Sequence, residues 1–125
     1  MKTATHISII EHDASLCDAL QRILISHGFS VSLYHCAEDF LAQDNRNRTD
    51  LVLSDVNMKG MDGFELLREL KAQNNSPPVI LMSGSCVIQK ERVIEMGAAA
   101  FLTKPFHLAE LLREIQLGIP VARPA

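Results

Sequence analysis

The sequence predicts an α/β fold in which a parallel β-sheet carries helices on both faces. Two observations predict it: short apolar runs recur five times along the chain, and a segment with helical periodicity follows each run. Such alternation is typical of parallel strands joined by right-handed helical crossovers. At 125 residues, 47% of them hydrophobic, the chain has the size and composition of one globular domain.

The individual elements follow from apolar spacing and from glycine, proline and asparagine stops. Five strands are predicted, at HISII (6–10), FSVSLY (29–34), DLVLS (50–54), VILMS (79–83) and AAFLT (99–103). Five helices are predicted, over 14–27, over 37–43, after Gly63, over 87–96 and from Leu108 onward. The second strand alternates apolar and polar residues as an edge strand does. Asp13 is expected to cap the first helix.

Charge and apolar patterning exclude several classes of partner. The net charge of -3 provides no basic stripe, so we expect no direct binding to nucleic acid. No apolar run is long enough to span a membrane, and the first residues lack a signal-peptide pattern, which favours a cytoplasmic protein. Cys17, Cys36 and Cys86 are scattered and form no disulfide framework, so we expect reduced thiols.

Polar residues follow the predicted strands at their carboxyl ends, where open α/β sheets bind ligands. These residues are Glu11 and His12 after the first strand, Asp55 after the third, Ser83 at the end of the fourth, and Thr103 at the end of the fifth with Lys104 directly after it. Carboxylates, a hydroxyl and an ammonium at one edge suit a hard cation together with a phosphoryl group. An aspartate in this setting can form an acyl phosphate.

Three motifs in this order resemble the receiver domains of two-component response regulators, and the resemblance covers nearly the whole chain. They are SDVNMKGMDG around Asp55, LMSG at Ser83 and FLTKPF at Lys104. The resemblance implies a flavodoxin-like (βα)5 fold with strand order 2-1-3-4-5. It also implies that residues 1–120 form the receiver domain and that 121–125 are a tail or the start of a linker.

The resemblance implies a role for each matching residue. Asp55 would accept a phosphoryl group from a histidine kinase or a histidine phosphotransfer protein, and Ser83 and Lys104 would bind the phosphoryl oxygens. Glu11, Asp55 and the backbone carbonyl of Asn57 would hold Mg²⁺. Such a domain is a switch and no conventional enzyme, with at most self-catalysed phosphotransfer and autodephosphorylation. Its helix 4–strand 5–helix 5 face would contact a downstream protein, a fused effector domain or a second copy of the chain.

The chain departs from this family at three positions. His12 replaces the second acid, normally a direct Mg²⁺ ligand, and an imidazole suits Mn²⁺ or another transition metal better. Glu11, Asp55 and Lys104 sum to a charge of about -1, so Mg²⁺ affinity should be weak. Lys59 stands where proline is usual and adds an ammonium near Asp55. Phe101 stands where many receivers have a tyrosine, so no hydroxyl is available there.

These departures leave alternatives open. His12 lies in the predicted metal site, here called the metal corner, with Glu11, Asp55 and the Asn57 carbonyl. Because His12 replaces an acid there, the domain could be a degenerate receiver that binds proteins without phosphorylation. His35 and Cys36 could join His12 around a soft metal ion. A flavodoxin-like electron carrier would need a phosphate-binding loop rich in hydroxyls and glycine after the first strand, and EHDAS does not supply one.

Overall fold

The five predicted strands form one parallel sheet. The structure is a computed structural model that describes residues 4–43, 48–74, 76–85 and 87–119. Its strands are β1 (His6–Ile10), β2 (Ser30–Tyr34), β3 (Leu51–Asp55), β4 (Val79–Ser83) and β5 (Ala100–Thr103). Their order is β2-β1-β3-β4-β5, which confirms the predicted topology and the edge position of β2. The proposed tail at 121–125 and Cys86 lie outside the described residues.

Among the described residues, five helices cover the two faces of this sheet. They are α1 (Ala14–Ser26), α2 (Ala37–Ala42), α3 (Gly63–Lys71), α4 (Lys90–Glu95) and α5 (Leu108–Gly118). Successive strand residues point to opposite faces, so Leu51 and Leu53 pack with α1 and α5, whereas Val52 packs with α2, α3 and α4. Both faces of the central strands are therefore buried, which explains why these strands are continuously apolar.

The predicted start of the fourth helix at residue 87 is wrong. Helix α4 begins at Lys90, and its first backbone bonds run from Arg92 and Val93 to the Gln89 carbonyl. The Val87 N–H is instead bound by the Ser85 hydroxyl at 3.3 Å, and the Val87 side chain is 82% exposed. A serine that binds a nearby backbone N–H favours a turn over a helix.

The start of α1 agrees with the sequence prediction. The Asp13 Oδ1 atom accepts hydrogen bonds from the N–H groups of Ser15 at 2.9 Å and Leu16 at 3.3 Å. This is an ordinary N-cap, which satisfies helix donors that lack an intrahelical partner. Asp13 therefore positions α1 directly after the Glu11–His12 turn.

Candidate functional site

The strand order brings the predicted site residues to one edge of the sheet. Strand β1 lies beside β3 with Ile10 opposite Ser54, so Glu11 and Asp55 follow neighbouring positions. Strand β4 lies on the other side of β3, and β5 lies beyond it with Thr103 opposite Ser83. Asp55 is the last residue of β3 rather than the first residue of the loop.

Lys104 joins two buried carboxylates at this edge. Its Nζ atom lies 2.8 Å from Glu11 Oε1 and 3.4 Å from Asp55 Oδ1. Glu11 is fully buried, and Asp55 is 3% exposed. The other carboxylate oxygen of Glu11 accepts the Asp13 N–H at 3.0 Å. Two carboxylates thus share one ammonium, which leaves a local charge of about -1 in a poorly solvated place.

The ionisation of Asp55 and of Lys104 reflects burial and the charges of their neighbours. Burial, reinforced by the nearby charge of Glu11, raises the pKa of Asp55, although Lys104 opposes the shift. Burial favours the neutral form of Lys104, but its hydrogen bond to Glu11 and the charge of Asp55 outweigh burial and raise its pKa overall. The site therefore holds a permanent cation beside a carboxylate that would gain from a second positive partner.

His12 lies at the open side of the pair. Its ring is 66% exposed, and Nδ1 lies 3.5 Å from Glu11 Oε2 and 3.8 Å from Asp55 Oδ2. Potential ligand atoms of Glu11, His12 and Asp55 all lie within 4.8 Å of one another. Two carboxylates and one imidazole are a donor set that fits a divalent cation, with the nitrogen favouring a transition metal over Mg²⁺.

The Ser83 hydroxyl is buried and already bonded. Its Oγ atom accepts the Ser85 N–H at 3.0 Å and a side-chain N–H of Asn57 at 3.2 Å. The Asn57 side-chain contact was not predicted, because sequence reasoning assigned only the Asn57 carbonyl a role. No pattern links residues 57 and 83. Their contact depends on the adjacency of β3 and β4.

The loop after Asp55, residues 56–62, is closely packed at its far end. The Asp62 and Glu65 side chains each accept the other residue's backbone N–H, at 2.8 and 3.0 Å, in a capping box that begins α3. At Gly63 a Cβ atom would lie 2.6 Å from the Asp55 carbonyl oxygen, so only glycine fits there. The Gly63 N–H also donates to the Val56 carbonyl at 2.9 Å.

A cleft of about 780 Å³ opens beside this loop. Its walls are His12, His35, Cys36, Asn57, Met58, Lys59, Gly60 and Asp62. Lys59 is exposed at this cleft. Within the described part of the chain, the group of ligand atoms within 4.8 Å does not include His35 or Cys36, so the suggested soft-metal site with His12 is not assembled.

The remaining predicted features lie near β5 and α1. Phe101 is 5% exposed and packs in the apolar cluster on the α3 side of the sheet, and the Lys104–Pro105 peptide bond is cis. Cys17 is buried and its thiol donates to the Glu11 carbonyl at 3.1 Å; burial raises the pKa of this thiol. Among the described helices, none has the length and apolar character needed to cross a membrane.

Comparison with known proteins identifies the class of domain that carries this sheet, buried acid pair and lysine. The family model for the response regulator receiver domain matches residues 7–116. The chain therefore belongs to the receiver domain family of two-component response regulators.

Similar proteins support the same assignment. The transcriptional regulatory protein FixJ of Bradyrhizobium diazoefficiens is 39% identical over 126 residues, covering 100% of this chain and 62% of FixJ. The transcriptional regulatory protein ZraR of Salmonella typhimurium is 34% identical, covering 94% of this chain and 27% of ZraR. The non-phosphorylated HemR receiver domain of Leptospira biflexa superimposes with a TM-score of 0.82 at 28% identity, covering 97% and 98% of the two chains. The chain thus spans less than two-thirds of these two curated relatives.

Proposed function

We propose that this receiver domain is a switch in which Asp55 accepts a phosphoryl group from a histidine kinase or a histidine phosphotransfer protein. The observation that carries the proposal is the contact of one Lys104 ammonium with both Glu11 and Asp55 at the carboxyl edge of the sheet. Phosphoryl transfer depends mainly on positioning and on neutralising charge, and this edge supplies both.

The transfer step can be written from the residues present. A carboxylate oxygen of Asp55 attacks phosphorus, the P–N bond of the donor phosphohistidine breaks, and the donor imidazole leaves with the bonding electron pair and gains a proton. The product is an acyl phosphate on Asp55. Lys104 is placed to bind a phosphoryl oxygen, and the Ser83 hydroxyl can donate to another once it turns toward the phosphate.

A divalent cation would be held by Glu11, Asp55, the Asn57 carbonyl and His12. When bound, it would neutralise charge between Asp55 and the phosphoryl oxygens. Because His12 supplies nitrogen where an acid would supply charge, we propose that Mg²⁺ binds weakly and that Mn²⁺ or another transition metal binds better. Glu11, Asp55 and Lys104 already leave a charge of only about -1 to attract the ion.

Intact mass spectrometry tests the phosphorylation step. Incubation with acetyl phosphate or with a histidine kinase, in Mg²⁺ or Mn²⁺, should add one phosphoryl group to the wild type and none to Asp55→Ala. Asp18→Asn, which changes an exposed aspartate on α1, should be modified like the wild type. A wild type that stays unmodified with every donor and metal would refute the proposal and leave a phosphorylation-independent binding module.

Titration calorimetry tests the metal preference. His12→Asp should bind Mg²⁺ at least about tenfold more tightly than the wild type, because the substitution adds a carboxylate and a negative charge. The wild type should bind Mn²⁺ more tightly than Mg²⁺. Equal Mg²⁺ affinity in the two proteins would contradict the assignment of His12 to the metal corner.

We further propose that the signal leaves through the face formed by α4, β5 and α5, toward a downstream protein, an effector domain or a second copy. Ile94, Leu108 and Leu117 are 40%, 40% and 70% exposed on this side. The Ser85 N–H donates to Ser83 Oγ, so a turn of the Ser83 side chain toward a phosphoryl oxygen would move or break this link to the segment before α4. Amide exchange over 84–96 should therefore change on phosphorylation in the wild type but stay constant in Asp55→Asn.

A further inference from the structure

Glu38 makes a contact that the proposed mechanism does not use. It lies in the first turn of α2, yet its Oε2 atom accepts the backbone N–H of Met61 at 2.8 Å, in the loop that follows Asp55. This hydrogen bond is the first cause of a lowered pKa of Glu38. The carboxylate is therefore held in a defined place although the side chain is exposed.

Gly60, which has no Cβ atom, leaves space for this carboxylate. Its φ angle is +75°, which disfavours residues with a side chain, and a Cβ atom built there would lie 2.5 Å from Glu38 Oε2. Glycine at position 60 thus permits the local turn and leaves room for the carboxylate against the backbone. The Met61 hydrogen bond and the contact at Gly60 involve the same Glu38 oxygen, which therefore lies against this turn.

The contact connects the two sides of the cleft beside Asp55. Cys36 and His35, just before α2, form one wall, and residues 57–60 form the other. A hydrogen bond from the Asn57 side chain to Ser83 already holds the start of the loop 57–61 in place. The hydrogen bond from the Met61 N–H to Glu38 holds the other end of this loop. Because residues 57–61 contain a glycine and no proline, the intervening backbone needs such contacts to keep one conformation.

We infer that Glu38 is a positioning residue of the phosphorylation site, which holds residues 57–61 against α2 and thereby fixes the backbone of Asn57, the proposed carbonyl ligand two residues after Asp55. This inference rests on the proposed function. Glu38 touches neither the metal corner nor the phosphoryl group. Its effect is transmitted by the loop backbone, as with other residues that orient metal ligands without binding the metal.

Three measurements on the full chain test the inference. In Glu38→Ala without metal, the Met61 amide should exchange about fivefold faster, the factor that corresponds to one ordinary hydrogen bond. The Mn²⁺ dissociation constant, read from the electron paramagnetic resonance of free Mn²⁺, should rise about threefold to tenfold, which is smaller than the roughly 10- to 100-fold effect of residues that bond directly to a metal ligand. The phosphorylation rate at a fixed Mn²⁺ concentration below saturation should fall by a similar factor.

Two variants separate positioning from general effects. Glu38→Gln should recover most of the wild-type exchange rate and Mn²⁺ affinity, because its side-chain oxygen still accepts the Met61 N–H. Asp39→Ala removes the neighbouring exposed carboxylate on the same helix and should behave like the wild type. If Asp39→Ala weakened Mn²⁺ as much as Glu38→Ala, the effect would be long-range charge, and the inference would be wrong.

Gly60→Ala should also break the Glu38–Met61 hydrogen bond. The added methyl should displace the Glu38 carboxylate, so that Glu38→Ala and Gly60→Ala are less than additive in Mn²⁺ affinity. Glu38→Ala with wild-type exchange and wild-type Mn²⁺ affinity would overturn the inference. Failure of the proposed function is a different result, namely a wild type that is never phosphorylated, and the exchange and Mn²⁺ comparisons remain decisive in that case.

Discussion

Within the described residues, both ends of the sheet contain buried polar groups, but only the carboxyl end buries charged ones. At the amino end the Asp50 carboxylate, which accepts the His6 backbone N–H at 2.7 Å, is exposed. At the amino end, the Ser8 and Thr49 hydroxyls are 2.8 Å apart, and the two ring nitrogens of His6 lie 2.6 and 2.8 Å from the hydroxyls of Ser30 and Ser32. Each of these side chains has a neutral partner. Burial lowers the pKa of His6, which favours its uncharged form.

The carboxyl end has the opposite character. Glu11 and Asp55 are buried acids that share the Lys104 ammonium, and this single cation balances only one of their two charges. The amino end has its hydrogen bonds satisfied and contributes to stability. The carboxyl end retains negative charge that a cation and a phosphoryl group can use, at a cost to the folded state. The comparison teaches that an incompletely neutralised polar cluster marks the site, whereas buried polarity alone does not.

Removing the lysine should have the largest effect on stability. Lys104→Met should lower the free energy of unfolding by about 3 kcal/mol, because two buried carboxylates lose their cation while Lys104 itself is only partly buried. Urea unfolding at neutral pH would measure this. Lys71→Met, at an exposed lysine near the end of α3, should change the value by less than about 0.5 kcal/mol. Equal effects would show that Lys104 does not stabilise the acid pair.

Breaking the neutral pair at the amino end should have a smaller effect. Thr49→Val should cost about 1 to 2 kcal/mol, because the Ser8 hydroxyl stays buried without its partner. The double variant Ser8→Ala with Thr49→Val should recover most of this loss, since both polar groups are then gone. A double variant as unstable as the single one would indicate a packing defect rather than an unpaired hydroxyl.

Replacing the Asp55 carboxylate by a neutral amide should have the smallest effect on stability, and it should stabilise the protein rather than destabilise it. Because the pKa of Asp55 is raised, its contribution to stability is fully present below the ordinary value of 3.8 and is lost as pH rises through the raised value. Asp55→Asn should therefore raise the melting temperature by about 2 to 5 °C at neutral pH. In scanning calorimetry the difference should shrink toward zero near pH 4. A lower melting temperature than the wild type at neutral pH would contradict this sign.

Much of the fold and of the candidate site could be predicted from local patterns. Runs such as HISII and VILMS match their strands residue for residue, and Asp13 caps α1 as expected. The start of α4 could not be placed, because Ser85 binds the Val87 N–H and Val87 stays out of the helix. A pattern of apolar spacing does not report that competition between a side chain and the helix backbone.

The sequence by itself determined the alternation of strands and helices and which polar residues follow the strands, because both depend on neighbouring residues. The tertiary structure decided which of those side chains meet. Lys104 and Glu11 are 93 positions apart, and Glu38 and Met61 are 23 apart. The first contact depends on strand order, and the second lies beside Gly60, which leaves space for the Glu38 carboxylate. Distances of this kind are set by packing across the sheet, which no local sequence pattern encodes.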